Sequence, residues 1–500
     1  MLERIHTWIQ GGGDGAKARI LLTIGQAGVG KSAIAHTIAT EYAKAGRLGA
    51  VFCFSKDRGS ANLFRTIARG FADMDPVYAS ALSSSITLEM ATSASLQVQM
   101  EDVLLPSFKW HSLIGPIIIV LDALDECVDR NPLIDCLIKN MHSLPDNIRI
   151  LMTSRPTEAH RLRKQPWVKV LDLEVEPASD QDILLYVQER LGSQLAESTI
   201  LQGLRERDLE EIVSQSEGLF QYAAVVCREI LSSYHYESDP GEPETPKETF
   251  DRLVKGRKGG LDALYSGLLE KLYPNTQVDS QGLRDFRRVM GWILTAQHRL
   301  THDTLVDFGH HLYSNDPKGQ GSYNHVTMIL RPLGALLSGT QEGSTTVYPL
   351  HSSIRNYLTD KNRSGRFYIG EDSEQHLSLT FACLRLLVAP GRLRFNIADL
   401  ESSYLGNGNV PDFKARVSAA ISTSLSYACI YWATHWRQSY ESPARHEGLE
   451  DMGTLMNQKF LFWLEVLGLQ KNISVAEDAC QMLILWLSVS HTLTDIATRR

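Results

Sequence analysis

The first residues able to do chemistry stand at Gly25-Gln-Ala-Gly28-Val-Gly30-Lys31-Ser32, a G-x-x-x-x-G-K-[ST] spacing. It lies directly behind an apolar run, RILLTI at 19–24, and directly ahead of a helical pattern, AIAHTIATEYAKA. Glycines let a turn present its backbone N–H groups to phosphate oxygens, and the start of the following helix adds partial positive charge. Lys31 would neutralise the β- and γ-phosphate oxygens, and the Ser32 hydroxyl would ligate Mg²⁺. Gly25, Gly28, Val29, Gly30, Lys31, Ser32 and Ala33 form the expected nucleotide-binding set.

Two further clusters end apolar runs in the same way. PIIIVL at 116–121 leads into Asp122-Ala-Leu-Asp125-Glu126, and a carboxylate at the end of a buried strand beside a phosphate loop is what the water shell of Mg²⁺ needs. Asp122 fits that place, and Asp125 or Glu126, one short turn on, could polarise an attacking water as general base, with Glu126 preferred. Arg149-Ile-Leu-Met-Thr153-Ser154-Arg155-Pro156 again puts polar residues at a strand end, where Arg155 or Thr153 would sense a γ-phosphate. No histidine has metal-ligand spacing, the adjacent His310 and His311 included.

The elements that must hold these residues read as strands alternating with helices. MLERIHTWIQ places Leu2, Ile5, Trp8 and Ile9 at helical spacing, and RILLTI, AVFCF (50–54), PIIIVL, IRILMT (148–153) and VKVLDL (168–173) are strand-length runs. Their continuous apolarity implies strands buried on both faces, hence a parallel sheet between helices. Beyond residue 178 helical patterns dominate. SDPGEPETPKE at 238–248, with three prolines among acids, reads as an exposed loop or linker, and SNDPKGQGS at 314–322 as a break. LGALLS, GTQEGST and TVYPL (333–350) read as a hairpin with a glycine-containing turn, followed by a helix in HSSIRNYLTD. The last 130 residues are helical with a break at 404–412, and the stripes Tyr431, Trp432, Trp436 and Phe460, Trp463, Leu464, Leu467 are expected in the core.

Composition removes several classes. At 43% hydrophobic and 22% charged the chain of 500 residues is globular, and a net charge of −8 with a pI near 6.1 offers no basic field for a dedicated nucleic-acid binder. Seven scattered cysteines without a C-x-x-C exclude a disulfide scaffold or zinc ribbon and fit a reducing cytoplasm. No run of about 18 apolar residues could span a membrane, and the charged start does not suit a secretion signal.

The three motifs in this order, GQAGVGKS, DALDE and TSRP, resemble the NACHT family of signal-transduction (STAND) P-loop NTPases, which includes animal and fungal innate-immune sensors. The opening helix followed by ARILLTIGQAGVGKSAIAHTIA looks like fungal NACHT modules, also catalogued with nephrocystin-type P-loop domains. GLFQYAAVVCREI, FRRVMGWILTAQHRLTHDTLVDF, LHSSIRNYL and SLSYACIYWATHW are similar to later segments of the same proteins. The resemblance implies an α/β parallel-sheet P-loop NTPase core at 1–177, then an all-α part: a helical lid domain at 178–260, a winged-helix domain at 261–370 and a C-terminal helical region at 371–500. It implies a switch that binds and slowly hydrolyses ATP or GTP with Mg²⁺, closed with diphosphate and oligomer-prone with triphosphate. It also implies that His351, in the Leu350-His351 pair, touches the β-phosphate. Ser352 replaces the Asp common after that His, and Gly218-Leu219-Phe220 replaces a frequent Gly-x-Pro.

Protein partners are expected on the helical C-terminal region, with conditional self-association and neither nucleic acid nor membrane as partner. The alternatives are a non-hydrolysing scaffold that keeps nucleotide for stability and a winged-helix DNA-handling ATPase, for which Arg355 and Lys361 offer few basic groups. Neither an effector domain before residue 1 nor a WD, ankyrin or TPR array after residue 370 is legible, so a truncated gene model or a pared-down member is expected.

Overall fold

The computed structural model describes residues 1–484 apart from 13–17, 56–58, 88, 91, 92, 94, 110–112, 157–159, 174–179, 193–203, 233–243, 256–258, 275–279, 314–321, 342, 344, 403 and 441–447. The chain divides into two compact units, Met1–Cys227 and Arg228–Arg500.

In the first unit every expected apolar run forms a strand: β1 (Ile20–Ile24), β2 (Leu48–Cys53), β3 (Ile117–Asp122), β4 (Ile148–Ser154) and β5 (Val168–Asp172). They build one parallel sheet in the order β2-β3-β4-β1-β5. Helices cover both faces: α1 (Leu2–Ile9), α2 (Lys31–Lys44), α3 (Leu63–Met74), α4 (Pro76–Ser85) and α5 (Arg130–Asn140). Successive strand residues point to opposite faces, so a continuous apolar strand feeds two cores. Ile20, Leu22, Ile24, Ile117 and Ile119 join Phe64, Phe71, Leu133 and Leu137. Leu21, Ile118, Val120 and Leu151 join Ile5 and Trp8 of α1 and Ala35 and Ile38 of α2. The Trp8 indole N–H donates to the Ala18 carbonyl at 2.9 Å, which ties α1 to the approach to β1. Later helices in this part of the chain include α6 (Asp180–Val187), α7 (Glu206–Ser216) and α8 (Phe220–Ser232), and the boundary between the units falls within α8.

The second unit is helical. Its main helices are α9 (Pro246–Leu253), α10 (Gly260–Leu272), α11 (Gln281–Thr295), α12 (His302–Tyr313), α13 (Ser322–Leu330), α14 (Ser352–Leu358), α15 (Asp372–Val388), α16 (Thr423–Gln438) and α17 (Phe460–Leu469). The hairpin read at 333–350 is present as a short antiparallel ladder, β6 (Leu337–Ser338) with β7 (Tyr348–Pro349). Trp292, Trp432, Trp436 and Trp463 are fully buried, so the aromatic stripes are core.

The loop expected at 238–248 needs correction at its end. Pro246, Lys247 and Glu248 open α9, because Pro246 takes the first helical position and Thr245 and Glu248 form a reciprocal capping box; residues 238–243 lie outside the described residues. The break read at 314–322 likewise lies outside them, except that Ser322 starts α13.

Candidate functional site

Parallel sheets gather polar groups at the carboxyl ends of their strands, and this sheet does so on three neighbouring strands. β1 is buried along its length and ends at Ile24, after which the loop Gly25–Gly30 turns into α2. Gly28 and Gly30 have φ of 95° and 93°, the left-handed region that glycine enters without a Cβ penalty. A Cβ on Gly25 would fall 2.8 Å from a Val29 methyl and 3.2 Å from Leu173, so this glycine permits close approach. The Lys31 ammonium folds over the loop and donates to the carbonyls of Gly25 and Gln26, each at 2.7 Å. Ser32 and Ala33 are exposed in the first turn of α2.

β4 lies between β1 and β3, with Ile24 opposite Ser154 and Leu121 opposite Met152. This register carries Asp122 and the residues after β4 to the same edge as the glycine loop. The Thr153 hydroxyl, fully buried, donates to Asp122 Oδ1 at 2.5 Å and accepts the Ala123 N–H at 2.8 Å. One side chain thus fixes both the carboxylate and the turn that follows it. Ala123 is left-handed at φ 60°, a strained conformation for a residue with a Cβ, and it reverses the chain into the short turn Leu124–Glu126.

Asp125, with its side chain only 8% exposed, pairs with Arg155 at 2.8 Å from Oδ2 to Nε. Its carboxylate is therefore committed to a cation, and its backbone carbonyl accepts from Arg130 at 3.1 Å. Glu126 is half-buried in the same turn. The structure so brings Asp122 to Thr153 and Asp125 to Arg155 at the edge where the phosphate loop ends. Of the two residues the sequence offers as γ-phosphate sensors, Thr153 holds Asp122 and Arg155 pairs with Asp125.

His351 belongs to the second unit. It caps α14: its Nδ1 accepts the Ser353 N–H at 3.1 Å and lies 2.7 Å from the Ser353 hydroxyl, which is 2.7 Å from the buried Tyr265 hydroxyl. An accepting Nδ1 puts the proton of the neutral ring on Nε2.

Sequence reading missed one partner of the loop. The left-handed pair Glu217 (φ 47°) and Gly218 (φ 80°) ends α7 and delivers Phe220 and Gln221 to the glycines. The Gln221 N–H donates to the Gly28 carbonyl at 3.3 Å, and the Phe220 ring lies 3.4 Å from where a Gly30 Cβ would stand. Tyr186 meets Phe220 edge-on at 6.0 Å, and the Arg190 guanidinium lies 5.7 Å from the Tyr186 ring centre. Gly218 ahead of an aromatic was the available signal.

Among the described residues no group of three or more His, Cys, Asp or Glu could hold a metal, and no helix is long and apolar enough to cross a membrane. Comparison with known proteins falls on the same motifs. Residues 2–155, from α1 through Arg155, match the family model described as Nephrocystin 3, N-terminal. Over 387 residues, 73% of this chain, the sequence is 23% identical to vegetative incompatibility protein HET-E-1 of Podospora anserina. Together the two similarities support a NACHT-type STAND protein. The chain spans 26% of the length of that fungal relative. The family match ends one residue after β4, so it contains the phosphate loop, Asp122, Asp125, Glu126, Thr153 and Arg155.

Proposed function

We propose that this NACHT-type protein is a nucleotide-dependent signalling switch that binds and slowly hydrolyses ATP or GTP. The observation that carries the reading is the convergence at one sheet edge of a glycine loop with two left-handed glycines, a lysine held on that loop, and a carboxylate locked by Thr153.

In this reading the loop N–H groups and Lys31 bind the phosphates, Lys31 exchanging its bonds to Gly25 and Gln26 for bonds to phosphate oxygens. Magnesium fits the donor set, since a small hard cation takes one hydroxyl and one carboxylate and completes its octahedron with phosphate and water. Ser32 and Asp122 would hold it, and it would supply charge neutralisation at the phosphates. Thr153 keeps Asp122 aimed. Glu126 is the candidate general base, one short turn beyond Asp122. Arg155 exchanges Asp125 for the γ-phosphate, which makes the turn 124–126 respond to the terminal phosphate.

The closed diphosphate state, the self-associating triphosphate state, the reach of His351 to the β-phosphate, the winged-helix character of the 261–370 segment and partner binding by the helical C-terminal region all belong to the same proposal. What supports them is the similarity to the fungal relative. Titration calorimetry with Mg-ATP and Mg-GTP tests the core of it. Lys31→Ala should weaken triphosphate binding by about a hundredfold or more, and unchanged affinity overturns the assignment.

A further inference from the structure

A cavity lies among the described residues of the second unit and takes no part in the reading above. Its volume is about 540 Å³, and its described lining is Arg228, Leu231 and Ser232 of α8 with Arg331, Gly334, Ala335, Thr340 and Gln341. Two guanidiniums, two hydroxyls and a carboxamide meet there, and no acid is present among the described lining residues of a chain whose net charge is −8.

The lining is held in place from several sides. Arg228 donates to the Ala335 carbonyl at 3.4 Å, which fixes its guanidinium at the wall. The neighbouring Glu229 pairs with Arg252 at 3.5 Å, so the acid beside Arg228 is engaged elsewhere. Thr340 is buried, and the hairpin sets its position: a Cβ on Gly339, at φ 72°, would lie 2.1 Å from the Thr346 carbonyl, so only glycine lets the two arms approach. Gly334 carries no side chain where its Cβ would stand 3.7 Å from the Thr340 hydroxyl and 3.9 Å from the Arg331 carbonyl, which keeps these groups open to one space.

We infer that this cavity binds a small phosphorylated organic molecule. Two arginines and a buried threonine hydroxyl in one lining suit a phosphate monoester, whose oxygens take forked N–H donors and an O–H. The volume is in the range of ligand sites and far larger than one phosphate, and Leu231 and Ala335 supply an apolar wall for the organic part. The site lies on α8, whose first residues touch the glycine loop, so its ligand would act on the same helix that contacts the nucleotide loop.

Phenyl phosphate and inorganic phosphate are the probes, titrated calorimetrically into the full chain and into Lys31→Ala, where the nucleotide loop is disabled. Phenyl phosphate should bind both proteins and bind about tenfold tighter than inorganic phosphate. Arg228→Gln and Arg331→Gln should each weaken it by about tenfold, with Arg228→Lys and Arg331→Lys losing less and all variants melting at the wild-type temperature. Equal affinity for the two probes overturns the organic part of the assignment. No binding to either protein, or binding unaffected by both arginine substitutions, overturns the site, whereas binding lost only on Lys31→Ala would show that the phosphate loop was the receptor.

Discussion

Two clusters of polar side chains in this molecule show how position decides use. In the first unit Asp122, Thr153, Asp125 and Arg155 lie at the carboxyl edge of a parallel sheet, Asp122 bonded to Thr153 and Asp125 paired with Arg155, the edge at which the glycine loop follows β1. In the second unit His376, His435 and Tyr427 lie inside the helical core. His376 Nδ1 is 2.7 Å from His435 Nδ1, His435 Nε2 is 2.8 Å from the Tyr427 hydroxyl, and that hydroxyl accepts the Gln297 N–H at 3.0 Å. His376 Nε2 lies 3.5 Å from Asp372 at the outer end of the chain. Histidine is the more versatile chemical group, yet here burial leaves it structural, because its ring atoms bond to the protein's own side chains. The carboxylates of the sheet edge serve a site because the strands stop there.

Predictions that break or sharpen this contrast follow from the packing. The largest effect belongs to the helical core: Trp463, fully buried with its N–H on the Cys429 carbonyl at 2.9 Å, should cost about 3–5 kcal/mol on change to Ala by denaturant unfolding of the second unit. Loss of less than about 1 kcal/mol would show that this region is not a packed core.

Thr153→Val comes next. It removes the donor to a buried carboxylate and an acceptor for the Ala123 N–H, so a loss of about 2–3 kcal/mol is expected. The same variant should weaken Mg-dependent nucleotide binding, while leaving metal-free binding closer to wild type. Equal loss under both conditions would separate Thr153 from the metal carboxylate.

Acid should act on the other cluster. Burial first, and then the neighbouring His376, lower the His435 pKa from 6.5 to about 3, with Asp372 opposing. The unfolded ring takes a proton below pH 6.5 and the folded one does not, so this contribution is complete above pH 6.5 and is lost as pH falls toward 3. The slope should approach about 1.4 kcal/mol per pH unit, measured as unfolding free energy against pH. His435→Phe should flatten it, and an unchanged slope would refute the buried neutral His435. The smallest effect is Thr245→Ala, which removes the cap of α9 and should cost about 1 kcal/mol in melting studies.

The sheet was legible because runs such as PIIIVL are apolar on both sides, and a strand with no polar face has only one kind of environment open to it. The glycine loop ahead of α2 was legible because its glycine spacing stands between an apolar strand and a helical pattern. The bond of Thr153 to Asp122 was not legible, since it depends on β4 lying beside β3, a pairing invisible in either segment alone. Phe220 escaped for a related reason, its contact with Gly30 being made across the left-handed turn at Glu217 and Gly218. Pro246 was read as loop because proline breaks helices, although at the first helical position it begins one. The histidine pair in the core joins residues 59 positions apart on two helices and left no local pattern.

The central claim is that the sheet edge holds a nucleotide through the glycine loop. Denaturing the purified chain and identifying released small molecules by chromatography and mass spectrometry tests it most directly. Near-stoichiometric nucleoside diphosphate from the wild type and none from Lys31→Ala is the predicted result, and it names the base as well. Wild-type protein that releases none and takes up neither Mg-ATP nor Mg-GTP would contradict the account.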